Sequence, residues 1–502
     1  MNMMNTSKFI GTGSEWTFDL LEKFDAAIKQ HAEGYGLETY PNQIEVITAE
    51  QMLDAYSTTG LPVRYAHWSF GKDFILQEQR YRRGFQGLAY EIVINSNPCI
   101  AYLMEENTLP MQVLVIAHAC YGHNGFFKNN YLFQQWTQAN AIIDYLVFAN
   151  TFISDCEDRY GIEAVEETLD SCHALSDHGV YKYKRPNPIS ARREQERLRE
   201  RMAFAEKHYN ELWRTLPTQA DAAEEIIGDN FPSEPEENLL YFVEKYSPTL
   251  KPWQREIVRI VRKLAQYFYP QRQTKVMNEG YATFWHYTLL NTLYDHRQIN
   301  DAFMLEFLHS HSSVVYQPSF DSKYFSGINP YALGFAMFSD IRRICEKPTA
   351  EDRQWFPQLA GSDWTKAIDF AMRNYRDESF ILQYLSPKLI RDFRLFAIAD
   401  HEKDDHLLVS AIHDDSGYKE VRRLLAAQYR LENVIPDIQV VHYKRDKDRS
   451  LVLHHKVHQG RTLEGTTGNA VMKHMARLWG FPVLLEEVGA SGEAITYLRA
   501  EP

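Results

Sequence analysis

The chain has 502 residues and a mass of 58.7 kDa, with 44% apolar and 24% charged side chains, enough for two or three domains and a large core without disulfides. Aromatic residues make up 13%, which excludes a mostly disordered chain, and 54 basic against 67 acidic residues give −13, which argues against a dedicated nucleic-acid binder. Five cysteines, none spaced as CxxC, fit a reducing compartment and not a Cys-based zinc knuckle; with no leader-like N-terminus and no apolar window of the roughly 20 residues a membrane span needs, a soluble cytoplasmic protein is expected.

Charge divides the chain. Residues 387–502 hold 17 basic and 17 acidic side chains, so residues 1–386 carry the whole excess. The hydrophobic period changes at the same place, near Ser386–Pro387, and predicts a predominantly helical domain over 1–386 and an α+β domain over 387–502. The first helix is expected after a capping box at Thr12–Glu15, with Trp16, Leu20, Phe24, Ala27 and Ile28 on one face. Pro110 suits the first turn of a second helix running through Val113, Ile116, Ala117 and Cys120. Residues 131–156 predict one long buried helix, and 191–216 a charged and solvated one. An acidic, Pro-interrupted crossover about 217–240 leads to a second helical block from Pro252 to about Leu385. After Pro387 the order ββαββαβ predicts a small antiparallel sheet with helices on one face: strands at 394–400 and 406–413, helix 418–433, a hairpin over 438–457, helix 468–480 and a last strand at 481–488.

The chemistry is concentrated in three segments. In VLVIAHACYGHNGFFKNN (113–130), His118 and His123 lie in an apolar helix, where a polar group without a partner costs about 1–3 kcal/mol. Their spacing of five puts them about 140° apart on a regular helix, so convergence on one metal requires a π-bulge or a helix ending at Gly122. The alternative is a pair of satisfied core histidines. Cys120 between them reads as buried packing. In KVMNEGYATFWHYTLLN (275–291), Glu279 and His286 are two turns apart on one face, and a carboxylate in that apolar context needs a partner or a cation. His118, His123 and Glu279 would complete a His/His/Glu set suited to zinc or iron. In LDSCHALSDHGVYKYKRP (169–186), His173 and His178 repeat the spacing of five. His67 and Glu91 are further candidates whose simpler reading is structural. There is no GxGxxG opening a helix, no phosphate-binding GxxxxGK[ST] and no GxSxG.

HWSFGK (67–72), AHACYGHNGFFKNN (117–130), CHALSDHGVYKYKRP (172–186) and MNEGYATFWH (277–286) resemble the signature segments of the SpoVR family, named for stage V sporulation protein R, over nearly the whole chain; length and acidity resemble its enterobacterial members. The resemblance implies a role in spore-cortex formation or, outside sporulating bacteria, in stationary-phase or stress physiology. It also implies a PrkA-type serine kinase and a YeaH-type companion protein as partners, and it brings no established reaction. Two departures stand out: Asn124–Gly125 where an acid often precedes the Phe pair, and Tyr181–Lys182 where Asp–Arg is common. Two readings follow. One is a regulator or scaffold acting with the kinase and its companion. The other is a metal-dependent hydrolase of an amide or ester, such as a cell-wall precursor, with His118, His123 and Glu279 on the metal and His173 or His286 orienting ligands or carrying protons.

Overall fold

The computed structural model describes residues 9–57, 91–182, 231–395 and 414–502, apart from 233, 320–321, 445–446, 459 and 490, together with 61, 64–70, 72 and 75. The chain divides into two compact units, one of residues 1–154 and 267–434 and one of residues 155–266 and 435–502. It is mainly α-helical, with a small α+β part at the C-terminal end. Among the described residues no helix is long and apolar enough to cross a membrane.

The first unit is built around helix Lys275–Asp295. Its buried positions run round the whole circumference, from Val276 and Met277 through Tyr281, Phe284, Trp285 and His286 to Leu293, so it is enclosed by other elements rather than lying on the surface. Helix Pro330–Glu346 crosses it where Gly280 meets Gly334: a Cβ built on Gly280 would lie 2.3 Å from Gly334 Cα. Only glycine at both positions allows that approach. The start of the helix is capped by Asp377, whose two carboxylate oxygens accept from the Val276 and Met277 amides at 2.9 Å each. The first helix of the unit is Phe18–Gly34, capped by Thr17, whose hydroxyl accepts from the Leu20 amide. The capping box expected at Thr12–Glu15 is therefore displaced by five residues, because Thr17 is the residue that takes the extended backbone a cap needs.

Two further expectations change in this unit. Residues 131–156 form two helices, Tyr131–Trp136 and Ile142–Tyr160, not one. The break at 137–141 is tied to the loop before strand Cys99–Met104: Asn95 Nδ2 donates to Thr137 Oγ1 at 2.9 Å and the Asn97 amide donates to Ala139 O at 3.0 Å. Val147 and Phe148 on the second helix are exposed, so it is not buried throughout. A three-stranded sheet also stands in this mainly helical unit: β1 (Asn42–Ile47), β2 (Glu91–Ile94) and β3 (Cys99–Met104), with β3 in the middle, parallel to β1 and antiparallel to β2.

In the second unit, β4 (Asp437–Tyr443), β5 (Leu451–Lys456), β6 (Val483–Val488) and β7 (Ala494–Ala500) form one sheet in that order. The outer pairs are antiparallel and β5–β6 is parallel, because helix Gly465–Trp479 carries the chain across between them. Strand β7 was not expected. The helix packs on β6, β7 and helix Ile162–Ala174 of the same unit. A buried Glu244 on helix Leu239–Tyr246 ties this unit further, accepting from Arg259 Nε and Arg262 Nε at 3.0 Å each. The strand expected at 406–413, most of the one expected at 394–400, the charged helix 191–216 and most of the crossover 217–240 lie outside the described residues.

Candidate metal centre

Helix Leu109–Ile116 starts as expected, with Thr108 as cap and Pro110 in the first turn. Its continuation, Ala117–His123, is a π-helix: the Asn124 amide donates to Ala119 O, five residues back. The wider turn brings residues five apart onto one face, which is how His118 and His123 come together, their rings 4.6 Å apart between centroids. Gly122 makes the turn possible against helix Lys275–Asp295, since a Cβ there would lie 2.5 Å from Ala282 Cα and 2.7 Å from Ala282 Cβ.

Two carboxylates face the two imidazoles. His118 Nε2 lies 3.2 Å from Glu91 Oε1 and 3.8 Å from Glu279 Oε2. His123 Nε2 lies 3.8 Å from Glu91 Oε1 and 3.5 Å from Glu279 Oε2. Donors 2.0–2.2 Å from a tetrahedral zinc stand about 3.3–3.6 Å from one another, so the spacing suits one ion. Glu91, His118 and His123 form a group whose donor atoms all lie within 4.8 Å of each other. Glu91 Oε2 and Glu279 Oε2 are buried and have no hydrogen-bond partner, an arrangement that a cation would compensate.

The far side of each ring is held. His123 Nδ1 donates to Asn278 Oδ1 at 2.9 Å, and His118 Nδ1 lies 2.9 Å from His286 Nδ1. His286 Nε2 in turn lies 2.8 Å from His311 Nδ1, on helix Asp301–Val314. Both candidate ligands thus have Nδ1 occupied by the fold and Nε2 turned to the carboxylates, the pattern by which proteins orient metal-binding histidines. Burial lowers His118 and His311 to about 4, and lowers His286 well below its ordinary range, with the neighbouring imidazoles adding to the effect. All three rings are neutral at pH 7, as ligation requires. Burial and the Glu279 charge raise the Glu91 carboxyl well above the usual carboxylate range. Burial would raise Glu279 too, but His123, His118 and a hydrogen bond from Tyr331 outweigh it and hold it low.

His118, His123, Glu279 and His286, separate in the sequence, therefore meet in one place in the first unit. Glu91 joins them, and its position is set by strand β2 packing on the π-helix. His311 and Asn278 were missed. The signal for His311 was its place in the row Phe303, Phe307, His311, which shares one buried face. His173 belongs to the second unit, on helix Ile162–Ala174, and His178 to the 3-10 turn Ser176–His178 that follows. His67 Nδ1 is 2.7 Å from Ser69 Oγ. Cys120 is fully buried with its thiol raised well above the ordinary value, chiefly by burial, as inert packing requires. Asn124, where an acid was expected, is also buried; its side chain accepts from the Tyr40 amide and donates to Tyr40 O and Asn42 Oδ1. It brackets β1 and takes no part in the carboxylate–imidazole group.

Residues 15–434 match the family described as "SpoVR like protein", and residues 436–490 match the "SpoVR-like C-terminal domain". A relative from Escherichia coli (strain K12), described as "Uncharacterized protein YcgB", is 56% identical over 493 residues, covering 98% of this chain and 96% of the relative's length. No solved structure matches. The chain belongs to the SpoVR family, as the signature segments around His118, His173 and Glu279 imply.

Proposed function

We propose that this protein is a metal-dependent enzyme of the hydrolytic class, with His118, His123 and Glu91 holding a divalent transition metal such as zinc or iron and Glu279 beside them. The observation that carries the reading is the π-helix, which turns two imidazole Nε2 atoms toward two half-buried carboxylates, each with one buried and unpartnered oxygen. A bound ion of this kind supplies a water molecule acidified toward neutral pH. His118 and His123 each turn Nε2 toward the carboxylates. His286 and Asn278 fix the orientation of those rings from behind. Glu279, ionised and beside the set, is placed to accept a proton. An amide or ester, in a cell-wall precursor or peptide, is the substrate class the family association favours.

The experiment is metal analysis of the purified full chain together with hydrolysis of a model ester. The expected result is about one equivalent of transition metal, lost in His118→Ala and Glu91→Gln, with Glu279→Gln losing turnover more than metal. Wild-type protein that takes up no transition metal when offered zinc, iron or manganese at micromolar concentration refutes the proposal. A second reading, a regulator acting with a PrkA-type kinase and a YeaH-type companion in stationary-phase or stress physiology, is favoured by the hydrogen-bonded His118–His286–His311 chain, which gives three buried rings partners without an ion. Co-purification of the kinase or companion with a metal-free His118→Ala protein is the outcome that selects it.

A further inference from the structure

The second unit contains a cavity of about 250 Å3 between helix Gly465–Trp479 and the sheet. Its floor is one face of three adjacent strands, with Ile438 of β4, Leu453 of β5 and Leu485 of β6. Met472 and Met475 of the helix form the roof, and Gly468 on the same helix adds no side chain there. A helix lying on a sheet ordinarily fills this layer with interdigitated side chains, so a void of this size in the middle of it is a departure from close packing. The mouth is at Thr467 and Glu464, both exposed.

One wall is polar. His178, presented by the 3-10 turn Ser176–His178, lines the cavity, and its ring has no hydrogen-bond partner among the described residues. The polar side chains around it are already engaged: Lys182 with Asp437 at 2.9 Å, and His455 with Glu487 at 3.0 Å. The ring is thus the only unengaged side-chain donor and acceptor on the cavity's inner wall among the described residues. An apolar chamber with one convergent polar group is the usual form of a small-molecule site. Methionines in the roof let such a site adapt to the shape of its occupant.

We propose that this cavity binds an apolar small molecule of about ten carbons bearing one neutral hydroxyl, which hydrogen-bonds the His178 ring. The size follows from comparison with a cavity of about 150 Å3 that holds benzene. The choice of a neutral group follows from the ring: burial lowers His178 to about 4, so it meets its ligand uncharged at pH 7 and offers a carboxylate no ion pair. The site lies in the second unit and does not depend on the metal reading of the first.

The test is calorimetric titration of the full chain with 2-naphthol, a ten-carbon phenol, and with naphthalene, the same skeleton without the hydroxyl. One saturable site is expected for each, tighter for 2-naphthol. His178→Leu is expected to weaken 2-naphthol about two- to tenfold, the worth of one net hydrogen bond, and to leave naphthalene within twofold. Filling the chamber with Met472→Trp, or with Leu485→Phe, is expected to abolish both. A readout that needs no variant is the methyl NMR signals of Met472 and Met475, which 2-naphthol should shift before those of the other methionines. Failure of 2-naphthol to saturate up to its solubility limit, undiminished binding in a folded cavity-filled variant, or shifts confined to other methionines overturns the site. Equal weakening of both ligands by His178→Leu overturns the assigned hydrogen bond.

Discussion

Gly122→Ala tests whether the π-helix is held by its contact with helix Lys275–Asp295. The added Cβ would sit 2.5 Å from Ala282 Cα and 2.7 Å from Ala282 Cβ, where ordinary contact is 3.4–4 Å. Both obstructing atoms belong to a buried helix and neither can rotate aside, so the turn must back away by about 1 Å. Overpacking of this kind costs about 1–3 kcal/mol, and a backbone obstacle puts the cost near the upper end. A unit of about 320 residues shifts by roughly 1.5 °C per kcal/mol, so the melting temperature of the first unit should fall by roughly 3–5 °C. The same retreat carries His118 and His123 away from Glu91 and Glu279, so metal retention should fall with stability. Gly125→Ala is the control. Its nearest neighbour to a new Cβ is a Tyr281 ring carbon at 3.7 Å, an ordinary contact, and it lies in helix Asn124–Asn129. Relief of glycine's helix penalty should stabilise it by up to about 1 kcal/mol. Scanning calorimetry and competition with a chelator read both effects. If Gly122→Ala melts like wild type, or no lower than Gly125→Ala, the contact does not hold the turn and the reasoning fails.

Three further substitutions report on the support around this centre and on the second unit. Asp377 has its carboxyl raised from 3.8 to about 7, chiefly by burial, which outweighs the backbone amides it caps. Between those pH values the folded state keeps a proton that the unfolded chain has released, so stability should fall as pH rises from about 4 to about 7, by at most about 4 kcal/mol; Asp377→Asn should flatten that slope in urea denaturation at pH 4.5 and 7, and an unchanged slope would place the titrating group elsewhere. Burial alone would raise Glu244, but Arg262, Lys245 and Arg259 outweigh it and hold it low. Its contribution is therefore complete above about pH 4.5 and lost as pH falls through its folded value, and Glu244→Ala at pH 7 should cost about 2 kcal/mol, discounted for the partial exposure of its partners. Asn278→Ala removes the acceptor behind His123 and should weaken metal binding about 10- to 100-fold, while the buried N–H left unpaired costs the metal-free protein about 1–3 kcal/mol; unchanged affinity in a chelator competition would mean that His123 is not a ligand.

How far the centre could be read from the chain depends on which interactions are local. The apolar stretch 113–130 and the seven-residue interval between Glu279 and His286 are local signals; the second sets its two residues on one face of a regular helix, whereas the first brings His118 and His123 together only through a widened turn, which the structure supplies. A π-helix leaves no periodic pattern of its own, because its hydrogen-bond register is set by what packs against it. Its trace in the sequence is indirect: two histidines five apart, with a glycine just before the second, where the neighbouring helix comes within 3 Å of a missing methyl. Glu91 was harder. It stands at the start of a four-residue strand whose partner, β3, is central to a sheet with one parallel neighbour, and parallel pairing joins segments far apart in the chain. Nothing near Glu91 says that the π-helix lies beside it. The break at 137–141 has the same origin, since the local pattern favours a continuous helix and the ties to Asn95 and Asn97 override it. Thus the nitrogen donors of the candidate centre, both on one turn, were legible as a pair, whereas the carboxylate that completes them depends on contacts across the fold. A substitution that disturbs β2 without touching either histidine should therefore damage the centre as surely as the loss of a ligand.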